Sequence, residues 1–208
     1  MIPLFVECTG KQVVIFGGGE VAARKAGHFA KEAEVLMVSR TFSPSSRALP
    51  VQIQTLDTRT ATDAELDLII APAFLVIGAL SDREQNDRIG ALCREHGVLF
   101  NNADGEPGDV VIPAMTMGEH YTIAISTGSE SPAVSRFIRQ EIEKNYPSLD
   151  AMIVLQHRLR DALRGRKTNP EERRRVLWAV IRDKAVWSLL SESPERAWER
   201  VRERYLHD

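Results

Sequence analysis

The sequence predicts an α/β protein: a Rossmann-like doubly wound parallel sheet, followed by a small α+β domain and a helical C-terminal domain. Three observations carry that expectation. Residues 13–26 read Val-Val-Ile-Phe-Gly-Gly-Gly-Glu-Val-Ala-Ala-Arg-Lys-Ala, a buried strand that passes through three glycines into a helix. Short apolar strands then alternate with helical patterns as far as Pro113, as in consecutive βαβ units with a parallel sheet. Beyond Pro113 a hairpin pattern and then helical periodicity take over, so the expected domains are residues 1–113, 114–146 and 147–208.

Gly17, Gly19 and Ala22 fall on G-x-G-x-x-A spacing, with Gly18 between the first two. The first glycine permits a tight turn, the second lets a phosphate approach bare backbone, and the small Ala22 lets helix pack on strand. The unpaired N–H groups at the start of the helix then make this turn a place to hold the pyrophosphate of a dinucleotide. Residues 34–39 read as the second strand and residues 51–55 as a short third, with a brief helix over 62–66. The continuous apolar run at 74–79 is a strand buried on both faces. An amphipathic helix over about 82–96 stops at Gly97, and residues 98–102 form the next strand. Ligands of such a sheet sit beyond the carboxyl ends of its strands. Residues 114–117 and 121–126 flank Gly118-Glu119-His120 as a hairpin, and the loop at 126–132 leads into a helix ending near Asn145. The rest is helical, broken near 165–170 and again near 191–194.

Composition places the chain among ordinary globular proteins: 208 residues, 43% hydrophobic and 27% charged. The first residues carry no basic leader, and the longest apolar stretch, 68–80, is interrupted by Pro72 and short of the ~20 residues needed to cross a bilayer. Neither export nor a membrane span is expected. Cys8 and Cys93 form no C-x-x-C pair and fit a reducing cytoplasm. Cys93 and His96 are the one pair at chelating spacing, while His28, His120, His157 and His207 are scattered, so no metal site is assigned. Residues 1–145 carry 13 basic and 19 acidic side chains, whereas residues 146–208 carry 14 and 10. That basic tail, with its Arg173-Arg174-Arg175 run, reads as the solvated face of amphipathic helices rather than a nucleic-acid surface.

Four landmarks occur in a fixed order: Pro3-Leu4-Phe5 with the glycine turn and Arg24-Lys25-Ala26; Ala79-Leu80-Ser81-Asp82 with Asn86; Phe100-Asn101-Asn102-Ala103-Asp104 leading to Val111-Ile112-Pro113-Ala114; and Ile125-Ser126-Thr127-Gly128-Ser129-Glu130-Ser131-Pro132-Ala133 leading to Arg136. Over about residues 3–145 this set resembles the precorrin-2 dehydrogenase family, which includes stand-alone enzymes and the N-terminal part of bacterial siroheme synthase. The resemblance implies a homodimer, with residues 114–146 as its dimerisation domain, that oxidises precorrin-2 to sirohydrochlorin with NAD in siroheme biosynthesis, some members also inserting ferrous iron. It implies that Gly17, Gly18, Gly19, Glu20 and Val21 meet the cofactor, that Arg40 and Thr41 lie near its ribose, and that Ser81 lies at the cofactor edge. It also implies that Asp104 is the key carboxylate. Leu80 stands where relatives often have threonine, which removes a hydroxyl from the cofactor edge. Arg40 follows the second strand where an acid often binds the ribose 2′-hydroxyl, and an arginine there suits a 2′-phosphate, so NADP is the alternative to NAD.

Read from the residues alone, Asp104 is either a base just past a strand end or the start of an Asp-Gly turn with Gly105, and the resemblance favours the base. A polycarboxylate substrate needs cations and donors, for which Arg136, Ser129 and Ser131 are the candidates. Ser131-Pro132 is equally an ordinary helix start. Two other functions fit the same residues: a dimeric module that senses NAD(P), or a chelatase without dehydrogenase activity.

Overall fold

The computed structural model describes residues 2–104, 108–128, 130–166 and 169–206. The chain divides between Ile112 and Pro113 into two compact units.

The first unit is a five-stranded, all-parallel sheet in the order β3-β2-β1-β4-β5. Its elements are β1 (Gln12–Phe16), α1 (Glu20–Phe29), β2 (Glu34–Ser39), α2 (Pro44–Arg47), β3 (Gln52–Thr55), α3 (Asp63–Ile70), β4 (Leu75–Gly78), α4 (Arg83–His96) and β5 (Leu99–Asn102). β1 is central, and the two-residue period of a strand sends its apolar side chains to both faces. Val14 and Phe16 join Leu66, Ile70, Val76, Ile89 and Phe100 in one core layer. Val13 and Ile15 join Ala22, Ala26, Met37, Leu75 and Ile77 in the other. Because the chain runs outward from β1 to β3 and then returns to β4 on the other side of β1, the strand ends of β1 and β4 flank a topological switch point.

Two helices differ from the sequence expectation. α3 continues to Ile70 instead of stopping at 66, because Leu66 and Ile70 are one turn apart and buried, while Leu68 is 80% exposed. Its start is fixed by a capping box between Thr62 and Glu65. The one-turn α2 has no apolar pattern to announce it; Ser43 caps it, and the Ser46 hydroxyl donates to the Gly18 carbonyl at 2.8 Å.

The second unit contains the antiparallel pair β6 (Ala114–Met117) and β7 (Thr122–Ile125), then α5 (Pro132–Asn145), α6 (Leu149–Gly165), α7 (Pro170–Arg182), α8 (Lys184–Glu192) and α9 (Pro194–Tyr205). Met152, Leu155, Leu159 and Leu163 form one helical stripe and meet Val180, Val186, Leu190, Trp198 and Val201 in a separate core. The hairpin turn is tied to α6: the Asp150 carboxylate accepts from the amides of Glu119 at 3.0 Å and His120 at 2.8 Å. A side chain at Gly118 would fall on that carboxylate and on Tyr121.

The tail has a break that the sequence pattern does not announce. Asp183 ends α7 and caps α8, accepting from the amide of Ala185 at 2.9 Å, from Tyr205 at 3.0 Å and from Arg200 at 3.3 Å. Burial pushes its pKa up, but those donors outweigh the desolvation and hold the carboxyl below its ordinary range. Among the described residues no helix is long and apolar enough to cross a membrane, and no group of three or more His, Cys, Asp or Glu side chains is placed to hold a metal.

Candidate active site

The turn between β1 and α1 is shaped by what surrounds each glycine. Gly17 has a φ of 142°, its amide donates to the Val38 carbonyl at 2.8 Å, and a Cβ there would stand 2.5 Å from the Ala79 carbonyl oxygen. At Gly18 a Cβ would overlap the Thr41 carbonyl oxygen, and the Gly18 carbonyl accepts from the Ser43 amide at 2.7 Å. Gly19 is different: a Cβ there would meet nothing within 4 Å. Gly19 is also the N-cap of α1, with extended backbone and no side-chain cap, so the first N–H groups of that helix face the same open space.

That space is a cleft of about 710 Å³ at the carboxyl ends of the strands, within the range of small-molecule and cofactor sites. Its lining brings together Gly17, Gly18, Gly19, Glu20, Val21, Thr41, Ser81 and Asp104, all named from the sequence, with Ser39, Phe42, Ser43, Ala79, Leu80 and Ala103. Arg40 does not line it. Its guanidinium is two-thirds exposed and reaches toward Asp57, with Nη1 3.5 Å from Oδ2. Next to the lining residue Ser81, Asp82 accepts from Arg59 Nε at 2.9 Å, which holds that carboxyl below its ordinary range.

The residues fit a dinucleotide on structural grounds. A phosphate needs bare backbone and unpaired N–H groups, and Gly19 with the uncapped α1 supplies both. Leu80 and Val21 add apolar surface to the same cleft.

Asp104 is exposed at the end of β5, and both of its main-chain polar atoms are held. Its amide donates to Asn102 Oδ1 at 3.2 Å, and its carbonyl accepts from Asn86 Nδ2 at 3.3 Å. Gly105, its turn partner in the sequence reading, lies outside the described residues. Beneath the cleft, Lys25 of α1 donates to Asn101 Oδ1 at 2.8 Å, and burial lowers the pKa of its ammonium.

The remaining candidates belong to the second unit. Ser131 caps α5, its hydroxyl accepting from the Val134 amide at 3.4 Å, and Arg136 is exposed on the same helix. Ser129 lies outside the described residues. The sequence reading assigned no role to Ser39, Phe42 or Ser43: Ser39 reaches the cleft as the last residue of β2, and Ser43 is held there by its amide bond to the Gly18 carbonyl.

A family model described as putative NAD(P)-binding matches residues 4–114. The precorrin-2 dehydrogenase of Methanosarcina barkeri is 41% identical over 205 residues, 96% of this chain and 91% of that protein. The chain belongs to the precorrin-2 dehydrogenase family. Siroheme synthases of Klebsiella pneumoniae and Neisseria meningitidis, 33% and 31% identical, match 84% and 83% of the chain, which spans only 37% and 36% of their length. Among solved structures, the precorrin-2 dehydrogenase SirC shares the fold, with a TM-score of 0.70 over 98% of this chain and 100% of that one, at 20% identity. Membership of the precorrin-2 dehydrogenase family thus covers both units, whereas the NAD(P)-binding match is confined to the first and its glycine cleft.

Proposed function

We propose that the protein is an NAD-dependent dehydrogenase that oxidises precorrin-2 to sirohydrochlorin in siroheme biosynthesis. The observation that carries the reading is the open backbone at Gly19, set at the uncapped N-terminus of α1 in a cleft that also contains Asp104. When bound, NAD supplies the hydride acceptor. The protein's own residues do the rest. Gly17 to Val21 hold the pyrophosphate, Thr41 and Ser81 contact the cofactor's flanks, and Leu80 keeps water from the reacting face. The Asp104 carboxylate takes the proton that leaves the tetrapyrrole as the hydride departs. On the second unit, the exposed guanidinium of Arg136 and the hydroxyl of Ser131 are the candidates for substrate carboxylates.

NAD is favoured over NADP by the partner of Arg40. The Asp57 carboxylate lies beside the guanidinium, so a 2′-phosphate drawn to Arg40 would meet a negative charge already in place. The test of function is spectroscopic: purified protein with precorrin-2 and NAD should convert the tetrapyrrole absorbance to that of sirohydrochlorin while NADH appears, more slowly with NADP. Absence of turnover with either nucleotide would reject the dehydrogenase reading.

The protein acts as a homodimer, with β6, β7 and α5 as its contact. On α5 only Ser135 is buried, while Val134, Phe137 and Ile138 expose one apolar stripe at 46%, 60% and 38%. Met117 on β6 is 51% exposed. Phe137→Glu should therefore yield a folded monomer in analytical ultracentrifugation at concentrations where the parent protein is dimeric. A cytoplasmic setting suits the two cysteines, both buried and unpaired.

A further inference from the structure

Asn86 projects from the first turn of α4 and is completely buried, and it is not among the residues that line the cleft. Its amide is fully engaged. Oδ1 accepts from the Leu80 amide at 3.0 Å, and Nδ2 donates to the carbonyls of Leu80 at 2.9 Å and Asp104 at 3.3 Å. One side chain therefore bridges two strand-end loops that both line the cleft: the one after β4, which carries Leu80, and the one after β5, which carries Asp104. The surroundings are built for it, since a Cβ at Gly78 would stand 3.1 Å from Asn86 Oδ1 and 3.0 Å from the Phe100 ring.

We infer that Asn86 is a positioning residue for the oxidation, fixing the main chain of Asp104 relative to the β4–α4 loop so that the carboxylate meets the substrate at a set distance from the nicotinamide. The inference rests on the reading of Asp104 as the base. An amide is the group this position requires, because it must accept from one N–H and donate to two carbonyls at once. Aspartate keeps the shape but turns an acceptor toward both carbonyls. Alanine and serine release Asp104 altogether. The Asn102 contact to the Asp104 amide remains in each case, so the loop keeps one tether and shifts rather than unfolds.

The test is a double-mutant cycle on the full chain: Asn86→Asp, Asn86→Ser, Asp104→Ala and the two doubles, with kcat and KM for NAD, NAD affinity by calorimetry, and thermal melts. The expected result is a cooperative melt, NAD affinity within about 3-fold of the parent, and kcat lower by about 10- to 100-fold, the scale of a misplaced reacting group. In the Asp104→Ala background the Asn86 substitutions should have no further effect on kcat. A folded Asn86→Asp or Asn86→Ser with parental kcat, or losses that multiply in the doubles, would overturn the inference while leaving an Asp104 base intact. Failure of both Asn86 variants to fold would also overturn it, making the amide a staple of the sheet. Undiminished turnover by Asp104→Ala alone would instead remove the base itself.

Discussion

Asp104→Ala is expected to bind NAD as tightly as the parent protein and to oxidise precorrin-2 about 10²- to 10⁴-fold more slowly, the usual contribution of a positioned base. The separation of binding from turnover follows from how the residue is held. Its contacts to Asn102 and Asn86 use the main-chain amide and carbonyl, so truncating the side chain leaves the loop where it is. The proposed pyrophosphate contacts fall to the glycine turn after β1, a different segment of the cleft lining. Asp104→Asn should behave like the alanine variant, since it keeps the size and loses the basicity. Stopped-flow absorbance of the tetrapyrrole, with calorimetry for NAD, measures both quantities. A variant with parental kcat would leave the cleft as a cofactor site and return Asp104 to the role of a loop residue.

The sheet was legible because its central strands, β1 and β4, are buried on both faces. Val13 to Phe16 and Leu75 to Gly78 are near-continuous apolar runs with turn signals at their ends, and Gly97, at a φ of 66°, marks the stop of α4 as its sequence position suggested. What escaped the sequence depends on partners far along the chain. Asn86 stood in the sequence only as part of the landmark at residues 79–86, because its amide acquires meaning when β4 and β5 bring Leu80 and Asp104 to it. Arg40 alone suggests a 2′-phosphate, and the carboxylate that stands beside it, Asp57, comes from 17 residues further along the chain. Asp183 breaks the tail without glycine or proline; its capping bond to the Ala185 amide is local, but its other carboxylate oxygen accepts from Tyr205 and Arg200 of α9. The helix-start reading of Ser131, by contrast, needs no distant partner, since its hydroxyl caps α5 through the Val134 amide three residues on.

Gly18→Ala and Gly19→Ala should fail in opposite ways, although the two residues are adjacent. At Gly18 the added methyl would overlap the Thr41 carbonyl oxygen, a main-chain atom that cannot rotate away. The β2–α2 segment must move, which also strains the bonds from Ser43 and Ser46 to the Gly18 carbonyl. Overpacking of this kind costs about 1–3 kcal/mol, so the melting temperature of the ligand-free protein should fall by several degrees. At Gly19 the methyl meets no protein atom within 4 Å, and a φ of −89° with a ψ of −174° suits any residue. The ligand-free melt of Gly19→Ala should therefore lie close to that of the parent. The methyl instead fills the space a phosphate must enter, and it stands over the N–H groups that would hold it. NAD affinity should drop at least about 10-fold, a loss of roughly 1.4 kcal/mol or more, and added NAD should no longer raise the melting temperature as it does for the parent. Thermal melts of both variants with and without NAD decide the matter. If Gly19→Ala were stabilised by NAD as strongly as the parent, the pyrophosphate could not lie against α1, and the nucleotide would have to be sought elsewhere in the chain.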